Sequence, residues 1–316
     1  MNRLARRIIG VLVSAMSAIS FSSEACAQLF DNYTDAEQFG KDRLQALRKE
    51  NVAHPMQYVV LKKDASLVKG LNPYTVYEIR AVLDLDAATL EIPAHCVIIF
   101  NGGAFKNGTL VGNDTKYCLK QAYSKCFQCG TDGTFEKIDY VIKATDAGMT
   151  ANSPSRANAN YSRLKSLITE GKNVFFDGKF YVNFSSPVVL KRVAHLYGGE
   201  MVYKKNAFQF ANGGGIVVCG TVITASNDAR SSFFIGAKDL LGAIDIKAIS
   251  FQGCTIDCPY LVNVLYKDMN SDSVSFGVRC IDVDHCVFKD TGRFRVMDAV
   301  IAGRCSFTNN DYQKCQ

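Results

Sequence analysis

The chain has 316 residues, twelve cysteines and a formal net charge of +6. That charge is mild for the length and no basic stripe stands out, which argues against nucleic acid as a partner. The apolar run near the N-terminus is too short and too rich in serine for a membrane span, so no transmembrane segment is expected after its removal.

That run reads as a secretory signal. Arg3, Arg6 and Arg7 form a positive n-region, Ile8 to Phe21 an apolar h-region, and Ala25-Cys26-Ala27 a small-x-small cleavage site before Gln28. The expected location is secreted, cell-surface or periplasmic. Cleavage removes three Arg and one Glu, which takes the charge from +6 to +4, and leaves eleven cysteines. An odd number in an exported chain normally suggests disulfides with one thiol left over.

Asp35 to Glu50 predicts a helix with Phe39, Leu44 and Leu47 on one side. Gln57 to Lys62 and Tyr74 to Leu85 predict strands on either side of a turn at Gly70 to Pro73. From Thr89 onward the text becomes short strands cut by glycine: Leu90 and Ile92 alternate, Pro93 turns, and Cys96 to Phe100 is an apolar run. Short strands with Asn/Gly corners and no long helix between them fit solenoid turns better than hairpins.

The stretch Val76-Tyr-Glu-Ile-Arg80, Asp84-Leu-Asp86, Leu90-Glu-Ile-Pro93, Val97-Ile-Ile-Phe100, Asn101-Gly-Gly103 and Lys106-Asn-Gly-Thr-Leu-Val-Gly-Asn113 resembles a known group. It is similar to the N-terminal part of secreted gut-bacterial proteins of the pectate-lyase-like superfamily. The resemblance implies a right-handed parallel β-helix and covers about Gln57 to Thr115. It carries no catalytic role for those residues.

Cys126-Phe-Gln-Cys129 is the only CxxC, with Cys118 upstream and His95-Cys96 as the available fourth ligand for zinc. The spacing is loose, and a local disulfide or buried thiols are the plainer reading. Thr145 to Ala159, rich in Ala, Asn, Ser and Gly, predicts a joint. Asn158 to Glu170 then predicts a short helix with Tyr161, Leu164, Leu167 and Ile168 on one face. Gly171-Lys-Asn-Val-Phe-Phe176, Asp177-Gly178, Phe180-Tyr-Val182, Pro187-Val-Val-Leu190 and Leu196-Tyr-Gly-Gly199 follow. Together with the helix they resemble the opening of pectate-lyase-type β-helices, where a helix covers the apolar end turn. Asp146-Ala-Gly148 stands where that family has a Gly-Asp-Gly lead-in.

Strand-like runs continue at Met201 to Tyr203, Phe208 to Phe210 and Ile216 to Thr224. A cysteine-centred pattern then occurs three times: Ile249, Phe251, Cys254, Ile256; Ile281, Val283, Cys286, Phe288; and Val300, Ala302, Cys305, Phe307. Period-two alternation on both sides of a one-residue slip describes a strand, a corner and a second strand. Repeated, it marks a solenoid whose turns bury their apolar face against each other. Stacked turns would set the three cysteines about 4.8 Å apart, within reach of a bridge but with side chains pointing alongside each other, which favours a ladder of free thiols.

The expected fold class is all-β, a right-handed parallel β-helix with a short capping helix and an N-terminal β-rich segment. The segments are a signal peptide (1–27), an N-terminal cap (28–85), a first β-helix-like segment (86–145) and a longer β-helix (146–316). No polar cap follows Phe307, so a C-terminal truncation is expected.

In this alignment the solvent-facing positions include Asp282 and Asp284 on one strand, with His285 and Arg304 at corners beside them. The two carboxylates would lie about 7 Å apart at two residues of strand rise. Paired carboxylates suit a glycoside hydrolase, and a carboxylate with a nearby base, often with Ca²⁺, suits a polysaccharide lyase. Outward polarity is equally what any soluble solenoid needs. The Gly-His-Gly of polygalacturonases is absent, and Ile281-Asp-Val-Asp-His285 lacks the tryptophan of the pectate-lyase strand it echoes. The expected function is an exported β-helix that binds or depolymerises polysaccharide, with uronate-rich glycans in view. The alternative is a non-enzymatic surface or adhesin module. No cofactor is certain, with Ca²⁺ the candidate for a lyase.

Overall fold

The structure, a computed structural model, describes residues 53–62, 70–120, 125–226, 232–235, 244–264, 276–289, 293–296 and 300–313. The signal sequence and the helix expected at Asp35 to Glu50 lie outside them. Among the described residues the chain is an all-β parallel solenoid of about nine turns with one short helix. No helix among them is long and apolar enough to cross a membrane.

The turns form two coils. In the small coil, strands Gln57–Leu61, Thr75–Ile79, Val97–Phe100 and the end of Ala104–Leu119 stack in parallel. Val82–Asp84 and Thr89–Glu91 pair with the earlier part of that long strand, and Phe127–Lys137 runs along its outer side. The large coil has three sheets. One carries Lys179–Asn183, Glu200–Lys204, Val222–Ala225, Thr255–Asp257, Val287–Lys289 and Asp311–Gln313. A second carries Val188–Leu190, Phe208–Phe210, Ser232–Ile235, Tyr260–Val264 and Arg293–Val296. The third positions the site: Val141–Lys143, Asn173–Phe175, Val193–Tyr197, Gly215–Cys219, Ala248–Gln252, Phe276–Asp284 and Val300–Thr308 in succession.

Alternation explains the large coil's interior. On successive strands Val174, Leu196, Val218, Phe251 and Val283 point inward and are buried in one continuous core. Phe184, Phe208, Phe233 and Phe251 stack inside it, with ring centroids 5.6, 5.2 and 6.0 Å apart. The helix, Ala157–Thr169, lays Tyr161, Leu164, Leu167 and Ile168 on the first turn, as their spacing predicts. Its apolar stripe covers interior that has no preceding turn.

The corner after each strand of the third sheet explains the one-residue slip. Gly198, Gly220, Gly253, His285 and Asn309 follow those strands in register, all with φ between 51° and 65°. One left-handed residue, or two at Gly198-Gly199, turns the chain onto the next sheet. Gly220 also divides the run expected from Ile216 to Thr224 into two strands.

Cys254 and Cys286 occupy adjacent turns just after this corner, buried and free, as the ladder predicts. The third copy is a correction. Cys305 pairs with Ile281 and Phe307 with Val283, so the corner of that turn is Asn309, not Arg304. Arg304 lies within the strand, opposite Cys280. Asn tolerates the left-handed corner, whereas the chain has no reason to turn at Arg304. Asn310 takes the place after the corner, and its side chain bridges the backbone of Cys286 and Val283. Cys305 is consequently exposed, not buried beneath Cys286.

The two coils meet through a third core. Phe175, Tyr197 and Cys219 point outward from the large coil and are buried against Val76, Val97, Ile99 and Cys118 of the small one. The small coil's other face holds its own core, including Tyr77, Ile79, Ile98, Phe100 and Cys126. Thr75–Ile79 and Val97–Phe100 are therefore buried on both faces. At the seam, the His54 and Met56 amides donate to the carbonyls of Gly253 and Gly220 at 3.0 and 3.3 Å.

Candidate functional site

The outward positions of the third sheet form three ranks across successive turns. The first runs Val193, Gly215, Ala248, Cys280, Arg304; the second His195, Val217, Ser250, Asp282, Ser306; the third Tyr197, Cys219, Gln252, Asp284, Thr308. Each step between neighbours is one strand spacing, about 4.8 Å. The small coil covers the early turns of these ranks and stops short of the later ones. A cleft of about 590 Å³ results, floored by the ranks and walled by His95, Asn113, Asp114, Lys116 and Glu136 of the small coil.

Three of the four residues expected from sequence, Asp282, Asp284 and Arg304, line this cleft. They are not on an open face: the Asp282 side chain is only 12% exposed, and Arg304 reaches it from the neighbouring strand at 3.3 Å. Asp284 accepts from Thr308 at 2.6 Å, from Asn309 at 3.0 Å and pairs with His285 at 2.8 Å. Burial pushes this carboxyl up, but those hydrogen bonds outweigh it and hold it below the usual carboxylate range. His285 sits on the corner, bonded to Asp284, with its ring 5.5 Å from His54.

His95, named from sequence only as an available zinc ligand, joins Gln252 and the carboxylates in this cleft. His95 Nδ1 lies 3.0 Å from Gln252 Oε1, and Gln252 Nε2 donates to Asp282 Oδ2 at 3.1 Å. The His95 ring stacks on Tyr74 at 4.5 Å, and Tyr74 stacks on His54 at the same separation. Burial lowers the pKa of His95, while Gln252 and the carboxylates partly oppose that. His195, at the head of the second rank, is a further polar group of the floor. Its amide donates to Asn173 at 3.0 Å, the Tyr197 hydroxyl lies 3.1 Å from its Nδ1, and burial pushes its pKa down to about 4. The Ser250 hydroxyl, between Val217 and Asp282 in its rank, is buried and has no hydrogen-bond partner.

All four histidines of the chain thus lie on or beside this seam. A signal for the covered half was present in the outward apolar residues Phe175, Tyr197 and Cys219. Nothing in the spacing brings His95 to Gln252, 157 residues away.

The cleft holds Lys116 paired with Glu136, and Lys247 at the rim. Asp282 and Asp284 accept from Gln252, Arg304, His285, Thr308 and Asn309, and two carboxylates so engaged fall short of the six to eight oxygens Ca²⁺ takes. Among the described residues no three His, Cys, Asp or Glu side chains converge as a metal shell, and the Cys126/Cys129 pair is free thiol, with Cys126 in the small coil's core. No protein-family profile, curated protein or solved structure matches the chain.

Proposed function

We propose that this is an exported solenoid protein that engages acidic polysaccharide in the cleft between its coils and cleaves it by elimination. The observation that carries the reading is the cleft itself, where an orphaned Ser250 hydroxyl, a histidine with lowered pKa and the cations Lys247 and Arg304 face one space. Hydrolysis by paired carboxylates needs one carboxyl protonated near neutrality. Asp284 is held in the opposite state and Asp282 is engaged by Arg304. Elimination needs a neutral base beside a carbon made acidic by a carboxylate, and a cation to neutralise that carboxylate. The likeness of Gln57 to Thr115 to pectate-lyase-like proteins supports the same class by analogy.

The test is incubation of the mature chain with pectin, alginate and host-glycan panels. The reading expects ultraviolet absorbance from unsaturated ends and retardation in affinity gels. Neither product nor retardation on any glycan contradicts it. The full engagement of both carboxylates by protein groups favours a second reading, a surface module that binds without cleaving. That reading expects binding to survive Asp282→Asn combined with Asp284→Asn, with no product from the unaltered chain.

A further inference from the structure

We propose that His95 is the proton acceptor of this cleft, fixed in one tautomer by a relay through Gln252 to Asp282. The proposal rests on the elimination reading. Asp282 Oδ2 can only accept, so it fixes the Gln252 amide with its NH₂ toward the carboxylate, 3.1 Å away. The amide oxygen then faces His95 Nδ1 at 3.0 Å, and it too can only accept. Nδ1 therefore carries the proton, and Nε2 is left with its lone pair. The flipped amide would set two oxygens against each other.

The ring is held as well as oriented. Stacking on Tyr74 covers one face, and Tyr74 is itself backed by His54. His95 also sits at a left-handed corner, with φ of 60°, in register with Tyr74 and Asp114, at 50° and 49°. The charged and titratable groups around the ring are Asp282, Asp284 and His285 from the large coil and His54 and Tyr74 from the seam. Ser250, only 5% exposed and without a partner, neighbours Asp282 in its rank and offers a hydroxyl to a ligand oxygen. An unpaired buried hydroxyl is costly, and a bound ligand oxygen would satisfy it.

The step balances without a co-reactant. The C–H bond next to the sugar carboxylate breaks, its proton passes to His95 Nε2, and its electron pair forms the new C=C bond. The adjacent C–O bond to the leaving sugar breaks, and its pair stays on that oxygen. The imidazolium then returns the proton to this oxygen, which restores neutral His95. Lys247 or Arg304 neutralises the carboxylate while the carbon carries charge.

Two measurements test this on the full mature chain. Nitrogen-15 shifts of the His95 ring at neutral pH, without any glycan, should show protonated Nδ1 and unprotonated Nε2, and Gln252→Leu should convert this to a tautomer mixture. A protonated Nε2 in the unaltered chain overturns the relay. In turnover, His95→Ala should lose 10²–10⁴-fold in kcat, far more than it loses in glycan retardation, and regain part of it with free imidazole. Gln252→Leu should lower kcat with little change in KM. His95→Ala at full rate overturns the base while leaving the elimination reading intact. Glycan bound by the unaltered chain without any unsaturated product overturns the elimination reading, and the base with it.

Discussion

One face of the large coil serves two purposes, and its halves differ by residue type alone. In the early turns the third rank is Tyr197 and Cys219, buried under the small coil. In the later turns the same rank is Gln252 and Asp284, which line an open cleft. The corners change one turn later, because Gln252 is still followed by a glycine, Gly253. Gly198, Gly220 and Gly253 lie against His54, Met56 and Tyr74, and a Cβ on Gly220 would meet the Met56 amide at 2.5 Å. On the next two turns the corner residues are His285 and Asn309, with the same left-handed φ. Glycine is needed there for room more than for conformation. Along this sheet an apolar outward residue marks the turns buried under the small coil, and a glycine corner marks the turns that His54, Met56 and Tyr74 approach closely.

The contrast can be broken most forcefully at the seam. Phe175→Ala removes a buried ring that packs 5.1 Å from Tyr58, and should cost about 3–5 kcal/mol in urea unfolding. Gln252→Ala, on the same face of the later turns, loses its bonds to Asp282 and His95 and should cost about 1–3 kcal/mol, less than the buried ring. Equal losses would mean that the two halves are not distinct.

Much of this was legible in the chain, and the failures have physical causes. Alternation gave the inward ladder, the helix stripe and the stacking of Cys254 on Cys286, because each depends on neighbours in sequence or on one strand spacing. Matching the third cysteine by type misplaced its turn, since Asn310 rather than Cys305 follows the corner. Asn309 as a left-handed corner was the missed signal. Asp282 and Asp284 were found as outward strand residues and Arg304 as a corner residue, but the small coil that walls their cleft was not. That wall depends on the small coil's strands being buried on both faces, for which the unbroken Val97 to Phe100 run was the available hint.

Acid should loosen the covered half. His195 is neutral in the folded chain, with a pKa of about 4 against about 6.5 when unfolded, so the unfolded state binds more protons between those values. Its contribution is present above pH ~6.5 and is lost as pH falls toward 4, by up to roughly 3 kcal/mol. Urea midpoints against pH should show this slope in the unaltered chain and a flatter one in His195→Gln. Parallel slopes would place the acid sensitivity elsewhere.

Smaller effects sharpen the corner rule. Gly220→Ala should cost about 2 kcal/mol or more, from a left-handed Cβ that also strikes Met56. Asn309→Gly should cost less than about 1 kcal/mol, because its corner is uncovered and glycine accepts the same φ. Arg279→Ala, which breaks an exposed pair with Asp245 at 2.8 Å, should change stability by no more than about 0.5 kcal/mol.

The chain carries its own probes for the docking of one coil on the other. Cys219 and Cys305 both lie on the large coil's third sheet; Cys219 points outward yet is 2% exposed beneath the small coil, while Cys305 is open to solvent. Timed alkylation of the native chain, mapped by mass spectrometry, should modify Cys305 rapidly and leave Cys219 intact until unfolding. Modification of Cys219 at the rate of Cys305 would contradict the docked arrangement on which the cleft depends.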